Sequence, residues 1–228
     1  MKIISSLFFL LFACVYAAHA QDYKWTMGAE GGPSITGDYG FASNFFGQQQ
    51  SLNLYFSAGF TGQYYFNEGF SLNTALQYEK KGVSITIVTT DNNGQPNGTI
   101  FDSKQLNYLV VPILLRYEFG NTCKLFVNGG PYFGYLVQAT GIIKSDDPLL
   151  SENSTHDVTS TTNRFDMGLS AGVGLDAPLS SRLVLSFEAC ANLGLPIFAI
   201  NPSGHYLPLN ETVELLVGIK YRIGENKD

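Results

Sequence analysis

Few residues in this chain are of the types that make or break covalent bonds. Past the first twenty positions there are only two histidines, His156 and His205. Ser203-Gly204-His205 sets a hydroxyl beside an imidazole, the nucleophile and base that covalent catalysis requires. A working site also needs an orienting group within reach, and no motif around this Pro- and Gly-rich stretch supplies one. Asp146-Asp147 and Glu152 gather carboxylates, but without the regular ligand spacing of a calcium loop. Asn97-Gly98-Thr99, Asn153-Ser154-Thr155 and Asn210-Glu211-Thr212 match glycosylation sequons. None of these demands a catalytic, cofactor or metal site, and the expectation is a chain without one.

The remaining charge is more orderly. Glu30, Glu79, Arg116, Glu118, Asp166, Asp176, Glu188, Glu214, Lys220 and Arg222 each occupy the polar face of an alternating segment. The clearest segment runs from Phe165 to Ala177. Phe165, Met167, Leu169, Ala171, Val173, Leu175 and Ala177 fall on one side; Asp166, Gly168, Ser170, Gly172, Gly174 and Asp176 fall on the other. A period of two is a β-strand. Glycine, serine and short acids are too small for a solvated face, but they suit the crowded inside of a narrow barrel with an apolar outside.

Seven further segments alternate in the same way: Lys24 to Gly32, Leu52 to Tyr65, Phe70 to about Val83, Leu106 to Phe119, Leu125 to about Thr140, Leu183 to about Asn192, and Thr212 to Ile223. The third slips at Lys80-Lys81-Gly82, which predicts a bulge or a strand end. Pro112 cannot donate to a ladder, which predicts a second bulge. Eight strands of about ten residues or more predict an eight-stranded antiparallel up-and-down transmembrane β-barrel. A closed sheet also satisfies every backbone group in lipid.

Connections alternate in length. Phe66 to Gly69, Gly120 to Lys124 and Pro178 to Arg182 are tight; Pro33 to Ser51, Ser84 to Gln105, Gly141 to Arg164 and Gly194 to Glu211 are long. Barrels of the outer membrane keep short turns periplasmic and long loops outside, so both termini are expected in the periplasm. Trp25, Tyr64, Phe70, Tyr117, Phe119 and Tyr221 would then form an aromatic girdle at that rim.

Met1-Lys2, the apolar run Ile3 to Tyr16 and Ala18-His19-Ala20 read as a secretory signal peptide over residues 1–20, leaving 21–228 as one barrel domain. An anchor helix is the competing reading, but the run falls short of the ~20 residues needed to span. Leu11-Phe12-Ala13-Cys14 is a poor lipoprotein signal, because Phe12 is bulky. Charged residues are 14% of the chain, against about 25% in soluble domains, as expected when much of the surface faces hydrocarbon. A net charge of −6 offers no basic footprint for nucleic acid.

Several segments resemble the PorT-like outer-membrane β-barrel family. Leu106 to Tyr117 is similar to that family's "YL-x-x-P-x-L-x-[KR]-[YF]" strand, Gly130 to Leu136 to the strand that follows it, and Phe165 to Gly174 to its glycine-rich sixth strand. The resemblance implies the barrel fold and the outer membrane. It implies function loosely, since one member assists a secretion system, and it brings no catalytic residues.

The expected role is therefore non-catalytic: structural, interaction-based, or accessory to an envelope or secretion assembly. Expected partners are outer-membrane lipid and lipopolysaccharide, the barrel assembly machinery during insertion, and envelope or secretion-complex proteins. The inward charges Glu30, Arg116, Glu118, Glu188, Glu214, Lys220 and Arg222 are expected to form a structural network in the lumen. Arg116, Glu188 and Lys220 should share its periplasmic half. The alternatives are a lipid-modifying enzyme using Ser203 and His205, and a narrow pore for protons or small solutes. Cys123 and Cys190 should stay unbridged. Cys123 is in a rim turn and Cys190 about seven residues up a strand, on the order of 16 Å away, whereas a disulfide needs Cα atoms within ~7 Å.

Overall fold

The computed structural model describes residues 24–38, 53–90, 94–146, 153–195 and 210–224. The expected signal peptide and the Ser203–His205 pair lie outside the described residues. So do Asp147 and Glu152.

Among the described residues nine strands form: β1 (Trp25–Asp38), β2 (Asn53–Tyr65), β3 (Phe70–Thr90), β4 (Pro96–Phe119), β5 (Lys124–Ser145), β6 (Ser154–Asp157), β7 (Phe165–Pro178), β8 (Leu183–Gly194) and β9 (Asn210–Ile223). Eight of them close a ring in the order β1-β2-β3-β4-β5-β7-β8-β9, with β9 antiparallel to β1. Every ring pairing is antiparallel, between strands that follow one another in the chain (β5 and β7 being separated by β6) or across that closure, so the fold is an up-and-down barrel. β6 stands outside the ring, paired only to the far end of β5 through Thr140 to Ile143.

Alternation dictates which face each side chain takes. Phe56, Phe60 and Phe165 on the outside are 61%, 73% and 63% exposed, while their neighbours Ser57, Thr61 and Asp166 are buried. No helix among the described residues is long and apolar enough to cross a membrane. The apolar belt belongs to the strands. At the short-turn end, aromatic rings meet on the outer face: Trp25 and Tyr64 at 4.7 Å between centroids, Phe70 and Tyr117 at 4.8 Å.

Three expectations need correction. Residues 84–105 are not a polar loop. β3 and β4 continue as one hairpin paired from Ser84–Ser103 to Thr90–Pro96, and this hairpin projects past the rest of the barrel with β5 and β6 beside it. The β-branched run Ile85 to Thr90 favours strand over loop. The ladder to β4 is also unbroken across Lys80, Lys81 and Gly82. Lys81 simply keeps the inward phase of Gln77 and Glu79, although its side chain is long and charged.

Pro112 causes no register shift either, since its pairing with Tyr132 lies in the same register as Leu115 with Gly129. Its carbonyl accepts from Thr74 Oγ1 at 2.8 Å. The bulge falls between Asn107 and Tyr108, which pair with Gln138 and Leu136 and leave Val137 extra.

The β2–β3 ladder stops at Ser57–Glu79. Beyond it, side chains stitch the wall. Thr36 Oγ1 donates to the Gly82 carbonyl and accepts from its N–H, both at 3.2 Å. Asn53 Nδ2 donates to the same carbonyl at 3.2 Å, and Ser84 Oγ donates to Asn53 Oδ1 at 2.9 Å.

Candidate functional site

The candidate site is the lumen, and its residues stack in three levels. The lowest, toward the short turns, is built on Arg116 of β4, whose side chain is fully buried. Its Nε lies 2.9 Å from Glu118 Oε1, and its Nη2 pairs with Asp176 Oδ2. Lys220 reaches the other oxygen of Asp176 at 3.4 Å. Beneath the guanidinium lies the ring of Phe126, with Arg116 Cζ 3.4 Å from the centroid and Lys220 Nζ 5.5 Å from it. Gln63 Nε2 donates to Glu118 Oε1 at 2.6 Å and to Ser71 Oγ at 2.9 Å. A planar cation between two carboxylates and an aromatic face uses both its fork and its π surface.

Small residues on facing strands make this possible. A Cβ at Gly174 would overlap the Phe126 ring, and one at Gly28 would come within 3.0 Å of Lys220 Cγ. The glycines that alternate along β7 are therefore sockets for large lumen side chains.

The middle level is acidic. Glu30 accepts from Gln77 Nε2 at 2.9 Å, Glu188 from Asn128 Nδ2 at 2.9 Å, and Glu214 from the Ser57 hydroxyl and from Cys190 Sγ, the latter at 3.4 Å. The described ion pairs include none to these three carboxylates.

The upper level centres on Lys81. Its Nζ lies 3.0 Å from Asp166 Oδ2 and 3.2 Å from Glu79 Oε2. It also sits over the Tyr108 and Tyr132 rings at 5.4 and 4.9 Å. Asn192 Nδ2 donates to Glu79 Oε1 at 3.1 Å. Tyr108, Val110, Tyr132, Leu136 and Ala139 close this end as an apolar cluster.

Of the residues singled out from the sequence, Arg116, Glu118 and Lys220 come together. Glu30, Glu188 and Glu214 lie apart, held by neutral donors. Arg222 is half-buried at the rim, its Nη1 donating to the Ser181 carbonyl at 3.5 Å. The sequence reading grouped Glu188 with Arg116 and Lys220; in the described ion pairs Asp176 joins those two cations instead. Glu79, Asp166 and Asp176, already placed on the inward face by alternation, are central to the network, whereas Lys81 was missed. Strict two-residue alternation carried on from Glu79 to Lys81 would have found it. Asp176's partners depend on barrel stagger, which no single strand displays.

His156 is exposed on β6. Asp146 accepts from the Thr99 backbone N–H. At the end of β6, Asp157 accepts from the Thr159 N–H at 2.8 Å, and hydrogen bonding from Thr159 holds that carboxyl below its ordinary pKa. No group of three or more His, Cys, Asp or Glu among the described residues is arranged to hold a metal.

Among the described residues, seven inward carboxylates (Glu30, Glu79, Glu118, Asp166, Asp176, Glu188 and Glu214) share the lumen with three fully buried cations, Lys81, Arg116 and Lys220. Chemically, the arrangement ties strands together and excludes solvent. Among the described lumen residues, no hydroxyl or thiol lies beside an imidazole.

Among solved structures, the chain is similar to neisserial surface protein A, with 11% identity, coverage of 87% of this chain and 97% of that one, and a TM-score of 0.42. It is similar to OprG of Pseudomonas aeruginosa at 9% identity, 91% and 99% coverage and a TM-score of 0.43. It is likewise similar to Ail of Yersinia pestis at 10% identity, 88% and 99% coverage and a TM-score of 0.39. No curated protein matches the sequence. A family model described as the outer membrane protein beta-barrel domain matches residues 19–195. With most of its length matched and its strands closed into an eight-membered ring, the chain belongs to the outer membrane protein beta-barrel domain family.

Proposed function

We propose that the protein is a non-catalytic outer-membrane barrel with a packed lumen, acting through its projecting loop-end sheet in an envelope or secretion-accessory role. The observation that carries this reading is the burial of Arg116, Lys81, Lys220, Tyr132 and Leu136, all facing the axis of the tube and all at most 2% exposed. An eight-stranded barrel has an interior just wide enough for side chains to fill, and these fill it with large, mutually bonded groups. The extended β3–β4 hairpin, with β5 and β6 beside it, offers a surface beyond the apolar belt for contact with other envelope proteins. The PorT-like resemblance supports a secretion-linked version of that role.

In this reading the short turns and both termini face the periplasm, and the outer ends of β3 to β6 face the medium. Outer-membrane lipid and lipopolysaccharide surround the wall, and the barrel assembly machinery inserts it. Single-channel recording in planar bilayers tests the packed lumen. The expected trace is flat, and discrete steps that change amplitude on Arg116 substitution would establish a pore instead. Mass spectrometry of lipid A from cells carrying Ser203→Ala and His205→Ala tests the enzymatic alternative, and an unchanged spectrum is expected.

A further inference from the structure

The outward side of β3 changes its surroundings partway up the strand. Leu76 and Tyr78 are exposed on the wall, yet Gly82 and Ser84, in the same phase, are buried, and so is Ser103 opposite Ser84 on β4. What covers them is the inner face of β1 and β2. Thr36, Asn53 and Tyr55 share the inward phase of Ser34 and Ser57, and all three reach β3. Thr36 and Asn53 bond to Gly82, and Asn53 also bonds to Ser84. Lys80 Nζ lies 5.3 Å from the Tyr55 ring centroid, and a Cβ at Gly82 would stand 2.6 Å from the Tyr55 hydroxyl. The β3–β4 hairpin therefore passes inside the outer ends of β1 and β2 instead of continuing the wall beside them.

The ladders that flank this hairpin stop together. β2 leaves β3 at Ser57–Glu79, and β5 leaves β7 at Tyr135–Phe165. Immediately above lies a row that crosses three strands, from Lys80 to Asn107 to Gln138. The register shift between β4 and β5 falls at this row, with Val137 as the extra residue. A bulge bends the strand that carries it, and here the bend turns the outer sheet across the mouth of the tube. Above the row, β3, β4, β5 and β6 stay laddered to one another. Their described hydrogen bonds to β1 and β2 each use a side chain of Thr36 or Asn53.

We propose that this outer sheet is a hinged cap on the lumen, turning at the Lys80–Asn107–Gln138 row and latched shut by Thr36, Asn53 and Tyr55. A unit tied to its surroundings by a few side-chain contacts opens more readily than one held by a continuous ladder. Docked, as in this structure, the cap closes the outer mouth above Lys81. Swung out, it gives water access to Ser84 and Ser103, while the levels around Arg116 and Glu188 stay packed. The cap does not depend on which side of the membrane the sheet faces, and its opening leaves the flat conductance expected above unchanged.

Thiol labelling of the refolded full-length mature barrel in micelles tests the cap, with N-ethylmaleimide as the probe and mass spectrometry as the readout. Ser103→Cys, in a chain that also carries Cys123→Ser, puts one thiol on the face the latch covers. Native Cys190, buried in the lumen, reports on any opening of the barrel as a whole. The introduced thiol should label slowly while the latch is intact. Adding Thr36→Val and Asn53→Ala should speed its labelling about tenfold or more, because each lost hydrogen bond raises the open population several-fold. Cys190 should stay unlabelled throughout. The heat-dependent gel shift of a folded barrel confirms that each variant has folded. If the double latch variant has not, Asn53→Ala alone replaces it, with an expected acceleration of about threefold or more. Equal rates with and without the latch, or no labelling at position 103 in either, overturn the proposal. Labelling of Cys190 at the same accelerated rate overturns it too, since the whole barrel would then be opening.

Discussion

The ring of Phe126 fills the space that a side chain at Gly174 would need, and the guanidinium of Arg116 rests on that ring with Cζ 3.4 Å from its centroid. A lumen-facing glycine on β7 thus positions a cation that belongs to β4. Gly174→Ala should cost about 1–3 kcal/mol or more, the usual penalty for overpacking a filled interior. Gly62, whose Cβ would meet nothing within 4 Å, provides the control. Gly62→Ala should leave stability within about 1 kcal/mol of the parent. Urea titration in micelles, followed by the fluorescence of the single tryptophan, measures both.

Asp176 is shared by Arg116 and Lys220. Asp176→Ala strands two buried cations at once and should destabilise by about 3–5 kcal/mol. Adding Lys220→Met should recover part of that loss, because one uncompensated charge disappears. If the double variant is less stable than Asp176→Ala, Lys220 contributes through packing instead of charge.

Glu188 behaves differently. It accepts one hydrogen bond from Asn128 and has no cation in the described ion pairs. Glu188→Gln keeps an acceptor for Asn128 and removes a negative charge from a level that also holds Glu30 and Glu214. The urea midpoint should therefore hold or rise, by no more than about 1 kcal/mol. A loss comparable to that of Asp176→Ala would mean that a cation reaches Glu188 in the folded barrel.

Cys123 lies half-buried in the β4–β5 turn, and Cys190 is buried in the lumen against Glu214; the two do not form a disulfide with each other. Alkylation of the unreduced, folded protein should label Cys123 and spare Cys190, because reactivity requires exposure and thiolate character. Unfolding in urea should release the second site, giving two labels per chain by mass spectrometry. An internal bridge would contradict the strand order.

Much of this molecule is legible in its residues one strand at a time. Alternation identifies each of the eight barrel strands and the side that Arg116, Glu118, Glu214 and Lys220 take. Gly-rich and Pro-bearing turns mark the short connections. What lies between strands is harder to read. Arg116 reaches Asp176 two strands away around the ring, a meeting set by the stagger of a closed sheet, which a linear pattern does not encode.

Lys80-Lys81-Gly82 misled because two adjacent lysines look like solvated surface, although one is outside and the other fully buried beside Glu79 and Asp166. The segment from Ser84 to Gln105 misled because its polarity suggests a loop. Its β-branched residues, Ile85-Thr86-Ile87-Val88-Thr89-Thr90, were the better guide, since their stiff χ1 angles favour the pleated backbone whether or not the faces alternate cleanly.

Several lumen bonds join residues far apart in the chain, and this has a consequence for the order of events during biogenesis. Ser57 donates to Glu214, 157 positions later, and Asn192 donates to Glu79, 113 positions earlier. Neither bond has both partners near each other until β9 has met β1. An open, unclosed sheet would have to carry its carboxylates and ammonium groups without their mates, at a cost no bilayer interior tolerates cheaply. Long-range pairing is slow for entropic reasons alone. Closure and dehydration of the polar groups must therefore coincide, which makes the final strand-to-strand zipping the committed, all-or-none step of insertion.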